Sequence, residues 1–449
     1  MVDLNNLEDA PDGEFQVPEM TIDEAMKVAV TMHQQGALSD AQAVYTRIIA
    51  AAPGFHAARH FLGLVTYQLG RKEDGVRLIA ESIKAAPEIA DWHSNLGNIL
   101  MEEFKLDDAA EELEKAVAIS PEHTNALSNL GRVYGALKRY PEAEACYRRA
   151  LAADPEHYAA TQNLGALLSK LHRHEEAVGW LTKAVINAPK NHQYPQMLLA
   201  RSYSATGQPD KAAEIYRQVL AAEPRHASAK HMLAAVTDTG VPERASDDYV
   251  TSEFDHFASA FDKQLAALEY RAPQFMAEAL DAANAGRKLD IIDAGCGTGL
   301  CGPLIKHHAN SLVGVDLSGN MLKLAEPRGY NELHKAELTG FLAARKAACD
   351  CIISADTLCY FGALEDFSEA AFGALRPGGI LIFSVEAITG EGGGGGYAIQ
   401  QHGRYMHRRG YLESVLAGAG FNIEAVRESV LRQEIAKPVH GFVVTARKP

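Results

Sequence analysis

Prolines recur at 53, 87, 121, 155 and 189, each 34 residues after the one before, and again at 224 after a step of 35. Small residues keep the same register, at Ala29, Gly63, Gly97, Gly131, Gly165 and Ala200, and at Ala41, Gly75, Ala109, Ala143, Ala177 and Ala212. A fixed period of this length is the mark of stacked supersecondary units, each burying its apolar face on its neighbours. Each unit reads as two amphipathic helices, for example WHSNLGNILMEEF and LDDAAEELEKAVAI, with apolar residues three and four apart. The small residues belong where the paired helices approach most closely, and the proline cannot continue the second helix. The pattern predicts six repeats over residues 21–236, with ASAKHMLAAVTD as a capping helix.

Composition narrows the partners. The chain has 449 residues and a formal charge of −15 from 43 basic and 58 acidic side chains. That balance argues against a dedicated nucleic-acid surface or a docking surface for an anionic membrane, which need clustered Lys and Arg. Six cysteines are too few for a disulfide framework. No CxxC spacing supports a metal site, so none is expected. No apolar stretch approaches the length of a membrane-spanning helix. Residues 1–20, opening MVDLNNLEDAPDGEF, are acidic and lack the basic and apolar regions of a signal peptide; a solvated tail and a cytoplasmic protein are expected.

Around TDTGVPERASDDY the register stops, which predicts a linker at 237–248 and a second domain at 249–449. There, short apolar runs (LDIIDAG, SLVGVD, CDCIISAD, ILIFSVE) alternate with helical stretches, the pattern of a parallel sheet covered by helices. The first strand, 289–293, runs into Ala294-Gly295-Cys296-Gly297-Thr298-Gly299, and a helix is expected from about residues 300–303. A glycine-rich strand-to-helix turn lets a ligand approach bare backbone. Asp316, at the end of the next strand, has the spacing that puts a carboxylate beside the ribose hydroxyls of a bound nucleoside. The segment reads DxGCGTG and not the GxGxxG of a dinucleotide site. Asp293 would repel a pyrophosphate, whereas it can orient the cationic amino end of a methionine moiety.

The 34-residue pattern resembles the tetratricopeptide repeat (TPR). Asn95, Asn129 and Asn163, one period apart, are similar to the asparagine ladder of protein O-GlcNAc transferases, which implies a groove holding a peptide backbone. The alternative is that these amides bond to neighbouring helices or water. DxGCGTG resembles the first motif of class I methyltransferases, Asp316-Leu317-Ser318-Gly319-Asn320-Met321-Leu322 resembles their segment after the second strand, and Leu375-Arg376-Pro377-Gly378-Gly379 resembles the turn before their fifth. Residues 249–273 and 403–421 and the closing LRQEIAKPVHGFVV resemble predicted TPR-repeat methyltransferases over essentially the whole chain. The resemblance implies a multidomain protein, an all-α TPR superhelix followed by an α/β Rossmann-like class I methyltransferase domain. It implies S-adenosyl-L-methionine as donor and S-adenosyl-L-homocysteine as product.

On that pattern Gly295, Gly297 and Gly299, with Cys296 and Thr298 between them, pass beneath the methionine and ribose, while Asp316 takes the sugar hydroxyls beside Leu317 and Met321. Glu337 or Leu338 faces the adenine, and Asp356 and Tyr360 face the methionine and sulfonium. Candidate bases are Glu386, His402, Tyr405 and His407; Glu386 reads equally as a carboxylate salt-bridged to Arg404 or Arg271. Substrate contact falls to Arg404 or Tyr405. Tyr249, Phe254, Phe257 and Phe261 form either a lid or helix packing, and 392–396 is a slack connection. The expected function is methyl transfer with a protein or peptide partner held by the array. The rivals are a small-metabolite acceptor, with the array serving assembly, and an inactive scaffold.

Overall fold

The computed structural model describes residues 20–189, 192–258, 261–389, 395–434 and 437–449. Residues 1–19 of the expected tail, and 392–394 of the expected slack connection, lie outside the described residues. The chain divides into two compact units, 1–198 and 199–449.

The first unit is an array of antiparallel helix pairs: α1 (Ile22–Gln34) with α2 (Leu38–Ala51), α3 (His56–Gln68) with α4 (Lys72–Ala85), α5 (Ala90–Glu102) with α6 (Leu106–Ile119), α7 (Thr124–Ala136) with α8 (Tyr140–Ala153), and α9 (Tyr158–Lys170) with α10 (His174–Ile186). The periodic glycines sit at the crossings. A Cβ on Gly97 would lie 2.6 Å from Leu113, one on Gly131 2.6 Å from Tyr147, and one on Gly165 2.8 Å from Leu181, so these positions set how closely each pair packs. Ala41, Ala109, Ala143 and Ala177 are fully buried on the second helices. The histidine two residues after Pro121 and Pro155 caps the next helix: Nδ1 of His123 accepts the Ala126 N–H at 3.4 Å, and Nδ1 of His157 the Ala160 N–H at 3.2 Å.

The second unit takes in α12 (Pro209–Ala222) and α13 (Ala227–Thr237), then α14 (Asp247–Phe257), α15 (Phe261–Ala267) and α16 (Ala272–Ala283) ahead of a sheet with nine strands among the described residues. β1 (Leu289–Ala294), β2 (Ala309–Asp316), β3 (Glu332–Lys335), β4 (Cys349–Ser354) and β5 (Leu375–Ala387) are parallel in the order β3-β2-β1-β4-β5. The LRPGG turn is a bulge, since Cys349 pairs with Leu375 and Cys351 with Ile380. β8 (Asn422–Glu434) and β9 (Lys437–Arg447) form an antiparallel hairpin whose β9 lies beside β5. β6 (Tyr397–Ile399) and β7 (Tyr405–His407) form a second hairpin, in which β7 pairs with Glu386 and Ala387 beyond the end of β4. That hairpin therefore stands at the carboxyl end of the sheet, where open α/β folds bind their ligands. The helix after the glycine-rich turn is short: only Gly302–Ile305 is α-helical, with a 3-10 turn following.

Candidate functional site

The end of β1 and the end of β2 are locked together by backbone. Gly295 N–H and Cys296 N–H both donate to the Val315 carbonyl, at 2.8 and 3.0 Å. Each oxygen of Asp316 is held by a backbone amide, Oδ2 by Gly297 N–H at 2.9 Å and Oδ1 by Ser318 N–H at 2.8 Å. Burial raises the pKa of this carboxyl, while the amides oppose the shift by favouring the charged form. Gly295, Gly297 and Gly299 all have positive φ, at +78°, +53° and +85°. A Cβ on Gly295 would run into the side chain of Thr357, whereas above Gly297 the nearest atom is Phe261 Cε1 at 3.9 Å. The backbone of Gly297 therefore opens onto free space.

That space is a cavity of about 270 Å³. Gly295, Cys296, Gly297, Thr298, Asp316 and Leu317 line one side, with Met321, Glu337 and Leu338 toward β3. Glu337 caps the helix at 338–343, accepting from Thr339 N–H at 2.9 Å and Gly340 N–H at 2.7 Å. Phe254 and Phe261 face the cavity from the entry segment, their rings 5.8 Å apart, and Phe254 meets Tyr360 at 5.4 Å. This segment is tied down over the turn: Thr298 Oγ1 donates to Asp262 at 2.5 Å, Arg328 pairs with Asp262, and Ser318 Oγ donates to Asp255. Asp293 is buried, its Oδ2 accepting the Tyr330 hydroxyl at 2.5 Å and its Oδ1 without a partner among the described residues. Burial pushes its pKa up to about 7.

On the β4–β5 side the wall is a buried charge network. Arg432 reaches Asp356 at 2.5 Å, Glu434 at 2.7 Å and Glu386; Arg404 reaches Glu386 at 2.7 Å and Glu434 at 2.6 Å. Asp356, Arg404, Arg432 and Glu434 line the cavity. Asp356 is held at φ +55°, a strained value for a residue with a side chain, and burial raises its pKa against the pull of Arg432. The hydroxyls of Tyr270 and Tyr360, which also line this wall, make no hydrogen bond among the described residues.

A methyltransferase-domain family model matches residues 292–383, and tetratricopeptide-repeat models match 88–156, 128–192 and 195–236. The chain is a tetratricopeptide array fused to a methyltransferase domain. Among solved structures, PilF of Pseudomonas aeruginosa is 18% identical, covering 47% of this chain and 96% of that one with a TM-score of 0.44. An S-adenosylmethionine dependent methyltransferase from Mesorhizobium loti is 25% identical, covering 38% and 96% with a TM-score of 0.31. A putative one from Listeria monocytogenes is 20% identical, covering 39% and 98% with a TM-score of 0.32. A search of curated proteins returns no match.

Several expectations change on this methyltransferase domain. Gly299 does not line the cavity; a Cβ there would lie 2.8 Å from Tyr330, so this glycine serves packing. His407 is buried away from the cavity, its Nε2 donating to the Gly362 carbonyl at 3.0 Å, and burial pulls its pKa down to about 4. Tyr405 spends its hydroxyl on the Pro242 carbonyl at 2.8 Å. His402 accepts the Arg404 N–H at 3.3 Å and does not face the cavity. None of the three is placed to take a proton from a bound acceptor. Glu386 sits behind the wall as a salt-bridge partner of Arg404 and Arg432, not of Arg271. Tyr249 stacks on His231 at 4.1 Å instead of covering the cavity, and the side chain of Phe257 lies outside the described residues. Cys296, Cys301 and Cys359 are buried at the cavity lining, and burial raises the pKa of each thiol.

Arg432, Glu434, Tyr270 and Tyr330 were not singled out by sequence. The Arg-x-Glu alternation in LRQE was the available signal: in a strand it puts both charges on one face. In the array, Asn95 Nδ2 contacts His60 Nε2 at 3.1 Å, while the half-buried amides of Asn129 and Asn163 make no hydrogen bond among the described residues.

Proposed function

We propose that the protein is an S-adenosylmethionine-dependent methyltransferase whose helical array recruits a protein substrate. One observation carries the donor assignment: Asp316 and the open backbone of Gly297 are joined by a 2.9 Å hydrogen bond at the floor of one cavity. Each Asp316 oxygen keeps a lone pair for a sugar hydroxyl. The unpartnered Oδ1 of Asp293 suits the ammonium of the methionine end. A pyrophosphate would meet Asp293 and Asp316 with no free cation at the turn among the described residues, since Arg328 is engaged by Asp262.

Bound S-adenosylmethionine supplies a methyl group on a positively charged sulfur, already activated for in-line displacement. The chain's own task is then orientation and water exclusion. With the sugar anchored at the end of β2, we take the acceptor side to be the opposite side of β1, over β4 and β5, a reading the strand order supports. The wall there is Asp356, Tyr360, Tyr270, Arg404, Arg432 and Glu434. Asp356 is the group in that wall suited to orient an acceptor or hold its proton; Arg432 fixes its carboxylate. Phe254 and Phe261 roof the cavity against water. In the array, Asn129 and Asn163 offer amides that both donate and accept, which fits an extended peptide of any sequence.

The test is transfer of radiolabelled methyl groups into a cell lysate by the full chain and by Asn129→Ala/Asn163→Ala. Label in polypeptide that falls in the double variant supports the proposal. Label confined to small molecules overturns the protein acceptor.

A further inference from the structure

The last helix of an array ordinarily turns a polar face outward. Helix α13 does something else. His226 caps its start, accepting the Ala229 N–H at 3.2 Å, and the helix buries His231 together with Met232, Ala234 and Ala235. His231 is 4% exposed, and its Nε2 lies 2.8 Å from the carbonyl oxygen of Gly403. A carbonyl only accepts, so Nε2 carries the hydrogen and donates it. The ring lies nearly flat on Tyr249, with 4.1 Å between centroids and 23° between planes.

Gly403 belongs to the turn between β6 and β7. Its N–H donates to the Gln400 carbonyl at 2.7 Å, and Gln400 N–H to the Arg404 carbonyl at 2.8 Å. Its φ is +88°, and a Cβ there would lie 2.9 Å from the Tyr249 hydroxyl and 3.1 Å from Met232 Sδ, so only glycine fits. The next residue is Arg404, whose side chain enters the cavity wall and holds Glu386 and Glu434. The segment after α13 grips the same wall through backbone. Ala245 N–H donates to the Tyr360 carbonyl at 2.8 Å, and Gly362 N–H and Ala363 N–H both donate to the Glu243 carbonyl, at 2.7 and 2.8 Å.

We propose that His231 is a positioning residue for methyl transfer: by holding the Gly403 carbonyl it fixes the backbone from which Arg404 enters the acceptor side of the cavity, so the array's final helix is a working part of the catalytic unit. The inference rests on the methyltransferase reading above. It predicts a division of labour, because the carboxylate of Asp316 is held by the backbone amides of Gly297 and Ser318, and His231 bonds to neither.

Two full-length variants separate the hydrogen bond from packing. His231→Phe keeps a ring against Tyr249 and loses the donor; His231→Gln keeps an N–H and loses the ring. Calorimetry with S-adenosylmethionine is run beside the methyl-transfer rate at increasing lysate concentration. The expected result is unchanged donor affinity in both. The limiting rate falls about tenfold in His231→Phe, the factor that one lost buried hydrogen bond commands. His231→Gln recovers most of it. A wild-type limiting rate in His231→Phe overturns the proposal, as does an equal fall in both variants or a parallel loss of donor affinity. If His231→Phe does not fold, amide exchange at Gly403 and Arg404 in His231→Gln decides: protection as in the wild type supports the role, and its loss overturns it. A wild-type chain that binds no S-adenosylmethionine removes the methyltransferase reading itself, and this inference with it; the calorimetric arm alone reads that failure.

Discussion

Replacing Asp293 with asparagine should make the free protein more stable, although the residue is buried and hydrogen-bonded. Its pKa rises from 3.8 to about 7, chiefly through burial, with Asp316 adding to the rise and the Tyr330 hydrogen bond opposing it. Between about pH 4 and 7 the folded chain therefore keeps a proton that the unfolded chain has released. The slope of stability from this group is negative, about 1.4 kcal/mol per pH unit, and flat above pH 7. Three units amount to about 4 kcal/mol. The Asp293→Asn substitution removes that term and still offers Tyr330 an acceptor. Exchanging a charged for a neutral hydrogen bond returns about 1 kcal/mol. The variant should gain about 3 kcal/mol at pH 8, shrinking toward zero near pH 4. The assay is native-state amide exchange along β1 and β2, since both tryptophans, Trp92 and Trp180, lie in the array and fluorescence would report there instead. A variant no more stable at pH 8 than at pH 5, relative to the wild type, refutes the reasoning.

Arg432→Met should cost about 3–5 kcal/mol in thermal unfolding of the second unit, because it strands Asp356 as a buried carboxylate and leaves Glu386 with Arg404 alone. Loss of the cap in His157→Ala should lower the stability of the array by about 1 kcal/mol in urea titrations followed by tryptophan fluorescence. Asn129→Ala/Asn163→Ala should leave that unfolding midpoint unchanged, since neither amide has a partner to lose among the described residues, which the same titration checks.

How much of this was legible depended on the range of each contact. The period declared the helix pairs because Gly97 meets Leu113 and Gly165 meets Leu181 within one repeat. The turn at 295–299 and Asp316 were likewise readable, since a strand, a bare loop and a terminal acid follow one another along the chain. The charged wall over β4 and β5 was not. Arg432 meets Asp356 across 76 residues, and a charged residue in a strand reads locally as a solvated face. His407 and Tyr405 looked chemical by type, yet their polar atoms are committed to the carbonyls of Gly362 and Pro242, which no spacing rule reveals. His231 carried no signal at all, because its partner is the backbone of a glycine 172 residues away.

The most direct measurement is calorimetric titration of the full chain with S-adenosylmethionine, set beside Asp316→Ala and beside a nicotinamide dinucleotide. Saturable binding of the sulfonium compound is expected, with its loss in Asp316→Ala and no heat from the dinucleotide. Silence with the sulfonium compound, or tight binding of the pyrophosphate compound, contradicts the donor site at Gly297 and Asp316.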